Sequence, residues 1–313
     1  MSGALDPASD ALLELLRRLD AVGYEFVTPT PDSHGRVLAR PRPERPTTLR
    51  DVFGWSRDFS EGEIPAELIA LLDRGGALER DGDRLRSRLR VSRLHGRLFL
   101  HSAYPTDAED SVFFGPDTYR FADFVRAELG GADVVGRLVD IGSGSGAGAI
   151  TAAGWCRATE VVMTDINPGA LRLARINAAH AGVNADAVLA NGLEGVDGGI
   201  DLALANPPYI VDTEERTYRH GGDLHGGQLS LDMSVAAMDR LAPGGRLLLY
   251  TGAAVVEGAN PLADELGRLA AERGCDVSVR ELDPDVFGDE LSRPEYAAVD
   301  RIAVIGAVVR RPR

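Results

Sequence analysis

Leu138-Val139-Asp140-Ile141-Gly142-Ser143-Gly144-Ser145-Gly146 reads as a buried strand running straight into a glycine-rich turn. Glycines between a strand and a helix let the backbone approach a ligand closely, with helix N–H groups pointing at it. The rhythm continues downstream. Val161-Val162-Met163-Thr164 is a second strand, and Pro168 to Ala181 is a helix with apolar Leu171, Leu173, Ala174 and Ile176. Leu202 to Ala205 and Arg246 to Tyr250 are further strands. Alternating strands and helices specify a doubly wound α/β fold with a mostly parallel sheet. Val277 to Leu282 and Ile302 to Val309 have no strong helix between them, so a terminal antiparallel hairpin is expected.

Upstream of about residue 106 the pattern differs. Asp6 caps a helix with Pro7 at its first position, Leu12, Leu13, Leu15, Leu16 and Leu19 form its stripe, and Gly23 ends it. Residues 28–46, rich in proline and arginine, read as an irregular connection, followed by short helices near 48–55 and 65–73. A period-2 stretch then puts Leu85, Ser87, Leu89 and Val91 on one face and Arg84, Arg86, Arg88 and Arg90 on the other. His95-Gly96 is a turn into a return strand, Arg97 to His101. The reading is a small α+β or winged-helix-like domain over 1–105, with a catalytic domain over 106–313. The arginine row is either a solvated strand face or a dock for an anionic partner.

Composition narrows the chemistry. The chain has 313 residues, 44% hydrophobic, and no apolar run approaching the ~20 needed to span a bilayer. Met1 to Asp10 has no basic-then-apolar signal pattern, so a cytoplasmic location is expected. Cys156 and Cys275 are too few for a zinc site, and no metal is expected. Lysine is absent, which excludes Schiff-base chemistry and lysine general bases. The net charge is −14; residues 1–105 are neutral, and 106–313 hold 18 arginines against 32 acidic residues. A field of that sign repels a nucleic-acid backbone and favours neutral or cationic substrates.

Asp165 ends the second strand, 25 residues after Asp140, where an acid can accept both hydroxyls of a ribose. Both NAD and S-adenosylmethionine fit that pair of features. Ala205-Asn206-Pro207-Pro208-Tyr209-Ile210 separates them. It follows a strand at the carboxyl edge, where open α/β sheets bind ligands. Consecutive prolines stiffen the backbone and donate no hydrogen bonds. The Asn206 side-chain oxygen and the Pro207 carbonyl can converge as paired acceptors for an NH or NH2 group. They would aim its nitrogen at a methyl donor, while Tyr209 offers an aromatic face. Transfer from a sulfonium is an in-line displacement that needs positioning more than acid–base help.

With these motifs the chain resembles class I S-adenosylmethionine-dependent methyltransferases of the amino-methylating branch. It is most similar to release-factor glutamine methyltransferases and small-domain methyltransferases of ribosomal RNA. The resemblance covers about 106–313 and implies a seven-stranded sheet with a reversed last strand. It also implies that Asp140, Gly142, Ser143, Gly144 and Gly146 lie by the methionine part of the cofactor. Asp165 and Ile166 would lie at the ribose, and Asn191 and Gly192 near the adenine. Phe114-Gly115-Pro116-Asp117-Thr118 resembles the family's Pro-Arg-Pro-Glu-Thr segment, which helps close the cofactor pocket, but lacks its arginine. That leaves Thr118 for the cofactor and Phe114 for the substrate. Asn191 stands where the family often has aspartate.

The family also has a glycine-rich substrate loop after this tetrapeptide, here His220-Gly221-Gly222 and His225-Gly226-Gly227. Tyr218 and His220 are therefore substrate candidates, with Glu214, Glu215 and Arg216 behind them. Two departures touch substrate recognition: residues 1–105 do not read as the family's helical bundle, and residues 283–300 form a long polar link suited to a lid. The expectation is methyl transfer to a planar nitrogen of a small molecule or peptide. A protein glutamine or a nucleic-acid base is the alternative. A binding module without activity would need a broken glycine loop or a lost Asn206, and a dehydrogenase leaves 206–209 unexplained. Residues 106–313 alone are expected to bind the cofactor.

Overall fold

The computed structural model describes residues 4–41, 45–130, 134–210 and 221–313. The chain opens with α1 (Pro7–Ala21), whose first turn is capped by the Asp6 carboxylate accepting from Ala8 and Ser9 N–H groups. α2 (Pro31–Leu38) follows, then α3 (Leu49–Phe53) and α4 (Ala66–Arg74). α2 falls where an irregular connection was expected. Thr30 caps it and Pro31 opens it, a local start signal that outweighs the composition around it.

The arginine-rich stretch is not one strand. β1 (Leu78–Asp81) pairs with β2 (Arg84–Ser87), and β3 (Leu89–Leu94) pairs with β4 (Arg97–Ser102), making two separate hairpins. The chain changes partner at Arg88, whose N–H donates to Ala77 O. The arginine row divides accordingly. Arg84 donates to Asp58 O, Arg86 to Tyr104 O, and Arg90, which is buried, to Ser102 O. These guanidiniums satisfy backbone carbonyls of an irregular neighbourhood and do not form a single docking face.

α5 (Pro116–Glu128) leads into the sheet. In chain order come β5 (Val134–Ile141), α6 (Ala147–Trp155), β6 (Arg157–Asp165), α7 (Pro168–His180), β7 (Asp186–Leu189) and β8 (Ile200–Ala205). A short turn α8 (Asp223–Gly226), α9 (Gln228–Met238), β9 (Leu241–Val255), α10 (Pro261–Glu272), β10 (Asp276–Asp283) and β11 (Arg301–Arg310) complete it. The seven strands lie in the order β10-β11-β9-β8-β5-β6-β7. β11 runs antiparallel to both β9 and β10, and the other pairs are parallel. The expected sheet and terminal hairpin are present. α5, β7, α9 and α10 were not anticipated.

Two cores cover the two faces of the sheet. Phe121, Phe124, Ile150, Leu138 and Tyr250 belong to one; Ile141, Leu231, Leu247, Leu266 and Ile305 belong to the other. A third core fills the N-terminal unit and takes in Ala170, Leu173 and Ile176 of α7. The β3–β4 hairpin stands between cores. Leu94 and Phe99 belong to the sheet-side core, and Val91, Leu98 and Leu100 to the N-terminal one. The boundary expected near residue 105 is thus a packed seam.

Candidate active site

Register brings the motifs together. Ile141 at the end of β5 pairs with Thr164 on β6 and with Ala205 on β8, and Asp165 pairs with Leu189 on β7. The glycine loop, Asp165 and Asn206 therefore leave neighbouring strands at the same level. Strands lie about 4.8 Å apart, so they form one edge. The chain runs β5, β6, β7 in one direction and returns to β8 on the other side of β5, which makes this edge the sheet's topological switch point.

The loop is shaped by its glycines. Gly144 has φ +53°, a region costly for other residues, and a side chain there would meet open space. Its N–H donates to Asp165 Oδ2 at 2.8 Å, and Asn167 N–H donates to Oδ1 at 2.9 Å. Each carboxylate oxygen keeps a lone pair for a ribose hydroxyl. Burial raises the Asp165 pKa, against the opposing pull of the Asn167, Gly144 and Ile166 N–H groups. Asp140 lies beneath the loop, buried, with Oδ2 accepting from Ala149 N–H at 2.7 Å. It ties the start of α6 to the end of β5. Burial pushes its pKa up to about 7, with the nearby Asp165 charge adding to the rise and the Ala149 N–H opposing it.

These residues fit an S-adenosyl group. Ile166 is 51% exposed and Leu189 62% exposed, two apolar side chains bare at the tips of β6 and β7. They offer surfaces for a flat purine beside the Asp165 carboxylate, with Asn191 following in the next loop. The Ser143 and Thr164 hydroxyls are buried without a protein partner, so the loop retains polar atoms for a ligand.

Asn206 is half-buried and Pro207 buried, directly beyond β8. Tyr209 is turned inward. A side chain at Gly252 on β9 would overlap its ring, and its hydroxyl lies against Asp117 without a hydrogen bond of good geometry. Tyr250 O–H donates to Asp117 Oδ1 at 3.0 Å, and Arg120 approaches the same oxygen at 3.6 Å while pairing with Asp283 at 2.9 Å. Burial raises the Asp117 pKa, with the two tyrosine hydroxyls and Arg120 opposing. The loop over 221–227 packs directly on this segment: Gly221 N–H donates to Ile210 O at 2.9 Å, and side chains at Gly221 or Gly226 would strike Pro208 and Tyr209 backbone.

Two expected site residues are engaged inside the protein. Phe114 is fully buried, stacked on His101 at 4.8 Å and tilted on Phe99, so it cannot line a substrate cleft. It is drawn under α5 because the β3–β4 hairpin supplies an aromatic partner. The Thr118 hydroxyl accepts from Gly115 N–H at 3.2 Å, capping α5. Tyr218 and His220, with Glu214, Glu215 and Arg216, lie outside the described residues. Sequence reading missed Asp117 as an anchor, although it stands in the segment singled out. It also missed Asn177, which carries no motif. Fully buried on α7, the Asn177 side chain accepts from Leu100 N–H at 2.8 Å and donates to Leu100 O at 3.0 Å and Ser145 O at 2.9 Å.

Residues 127–266 match the methyltransferase small domain family. The release factor glutamine methyltransferase of Deinococcus radiodurans is 37% identical over 123 residues, covering 36% of this chain and 44% of that protein. The protein of the same description from Bordetella pertussis is 32% identical, covering 50% of this chain and 59% of its own length. One from Agrobacterium fabrum is 28% identical over 82% of this chain and 87% of its own length. The chain thus spans about half the length of the first two relatives.

Proposed function

We propose that the chain is a class I S-adenosylmethionine-dependent methyltransferase, as its likeness to the methyltransferase small domain family and to the release factor enzymes supports, and that it transfers a methyl group to a planar nitrogen held by Asn206 and Pro207. The observation that carries the reading is the pairing of Ile141 with Ala205, which sets the start of the tetrapeptide beside the glycine loop. The cofactor supplies an electrophilic methyl on a sulfonium. The chain's own residues supply placement. Asp165 and the loop N–H groups hold the nucleoside end. The Asn206 side-chain oxygen and the Pro207 carbonyl accept the hydrogens of the acceptor, orienting the nitrogen and favouring the positive charge it gains in attack.

Among planar nitrogens, the names of the relatives support the side-chain amide of a protein glutamine. A small molecule or free peptide is the second reading, favoured by the N-terminal unit. There, two hairpins accompany the helices instead of a helical bundle alone.

The test is product analysis. The purified protein is given isotopically labelled S-adenosylmethionine and a release factor, and the labelled site is located by mass spectrometry. A methyl on a glutamine nitrogen is expected. A methyl on oxygen or carbon would overturn nitrogen transfer. Label on a small molecule from a cell extract, and not on the release factor, would select the second reading. Asn206→Ala should lower turnover about 100-fold or more, roughly 3 kcal/mol, and leave cofactor affinity nearly unchanged.

A further inference from the structure

The inward turn of Tyr209 leaves a planar acceptor without the aromatic face expected of it. The ring is buried against Gly252 and directed at Asp117. Another aromatic stands beside it. Phe287 is 38% exposed, and its ring meets that of Tyr209 edge-on, centroids 5.8 Å apart at 73°.

Its position in the fold follows from strand direction. β10 runs parallel to β9, because both are antiparallel to β11. The carboxyl end of β10, Asp283, therefore reaches the same edge of the sheet as Ile141 and Ala205. Residues 284–300 cross that edge and are fastened on both sides. Val286 N–H donates to Ile302 O, Arg301 donates to Pro284 O, and Arg120 pairs with Asp283. Tyr296 is buried, and the His225 ring bonds Glu295 O at 3.0 Å. The long link is a fixed rim of the site.

Phe287 is also strained. Its φ is +55°, the left-handed region, where a bulky residue is an outlier costing of order 1 kcal/mol or more. A half-exposed ring gives little hydrophobic return for that conformation. Glycine, asparagine or a polar residue would relieve the strain or suit the solvent. Strain of this kind gathers at ligand contacts, where the surrounding structure imposes it.

We infer that Phe287 is the aromatic surface that receives the acceptor, and that Tyr209 is the inner strut supporting it. This rests on the reading that 206–209 holds the acceptor nitrogen. The acceptor's planar group would lie between the Asn206–Pro207 acceptors and the Phe287 ring, and Phe287 would set which planar groups are taken.

The experiment compares wild type with Phe287→Ala, Phe287→Trp and Phe287→Gly. Labelled S-adenosylmethionine is offered with an extract of the source organism's cells, and label incorporation is followed against dilution of the extract. Phe287→Ala is expected to need about tenfold more extract for half-maximal labelling, the scale of one lost stacking contact. Its maximal rate should hold, its cofactor affinity by calorimetry should be unchanged, and Phe287→Trp should restore labelling. Unchanged half-saturation, or an equal loss of cofactor affinity, would overturn the inference. Phe287→Gly should melt no lower than Phe287→Ala, because relief of the left-handed strain offsets glycine's greater unfolded-state entropy. Lower melting of the glycine variant would mean that position 287 is not held in a strained conformation. Labelling of the extract by wild type but not of the release factor would defeat the glutamine reading alone. No labelling at all would defeat both.

Discussion

The N-terminal unit and the seven-stranded sheet solve the same problem, satisfying backbone polar groups, by opposite means. In the sheet the ladder does it. Each strand from β5 to β9 has partners on neighbouring strands, and the register places its end. In the N-terminal unit the strands are short and paired only two by two, and arginine side chains finish the work. Arg93 donates to Tyr24 O and Gly96 O, and Arg97 crosses the seam to Ile150 O on α6. One region is held by its own regular geometry, the other by long side chains reaching across. The second kind of order depends on what it leans against. Its core borrows α7, and α7 in turn carries Asn177, which joins the hairpin to the glycine loop. The N-terminal unit thus braces the glycine loop through Asn177.

The harshest way to break this comparison is to cut the seam. A fragment of residues 106–313 would lose Leu94 and Phe99 from the sheet-side core and all partners of the Asn177 amide on Leu100. The expected outcome is loss of both cooperative folding and cofactor binding, read by circular dichroism and calorimetry. A folded fragment that binds S-adenosylmethionine as the whole chain does would restore the two-domain expectation. Next in size is Asn177→Leu. It strands the Leu100 N–H and C=O and the Ser145 C=O in a dry seam, which should cost roughly 3 kcal/mol of stability in urea denaturation. Cofactor binding should weaken with it, because Ser145 belongs to the loop.

Asp165→Ala should remove about 1–3 kcal/mol of cofactor affinity with little change in folding, the value of a part-buried acceptor. Sparing of cofactor binding would move the ribose elsewhere. Asp140 gives a smaller, pH-dependent effect. Its folded pKa of about 7 lies above the usual 3.8. Its contribution to stability is therefore complete below pH 3.8 and is lost as pH rises to about 7. A cationic cofactor favours the ionised form, so binding should release a proton in that window and tighten by up to about tenfold per unit as pH approaches 7. Calorimetry in buffers of differing ionisation heat counts that proton, and Asp140→Asn should abolish it. At the small end, Arg88→Ala removes an exposed pair with Glu79 and should change stability by under about 0.5 kcal/mol. A larger loss would mean that the exposed arginines are as structural as Arg90.

What the sequence decided by itself is the sheet and the strand ends at which its motifs lie. Runs such as Val161 to Met163 and Leu202 to Ala205 are apolar on both faces, so they belong inside a parallel sheet whatever surrounds them. The glycines, Asp165 and the Asn206 segment follow strand ends, and strand ends are local properties. Side-chain direction, and the partner a strand chooses, are not local. Alternation over residues 84–91 predicts one ribbon, but tertiary packing cut it at Arg88, where pairing passes from β1 to β4. Tyr209 reads as an exposed ring until Gly252 and Asp117, more than 40 residues away in either direction, take it inward. Phe287 has no motif at all. It is placed by the reversal of β11, which returns the chain across the carboxyl edge of the parallel strands, and that reversal is a property of the assembled sheet.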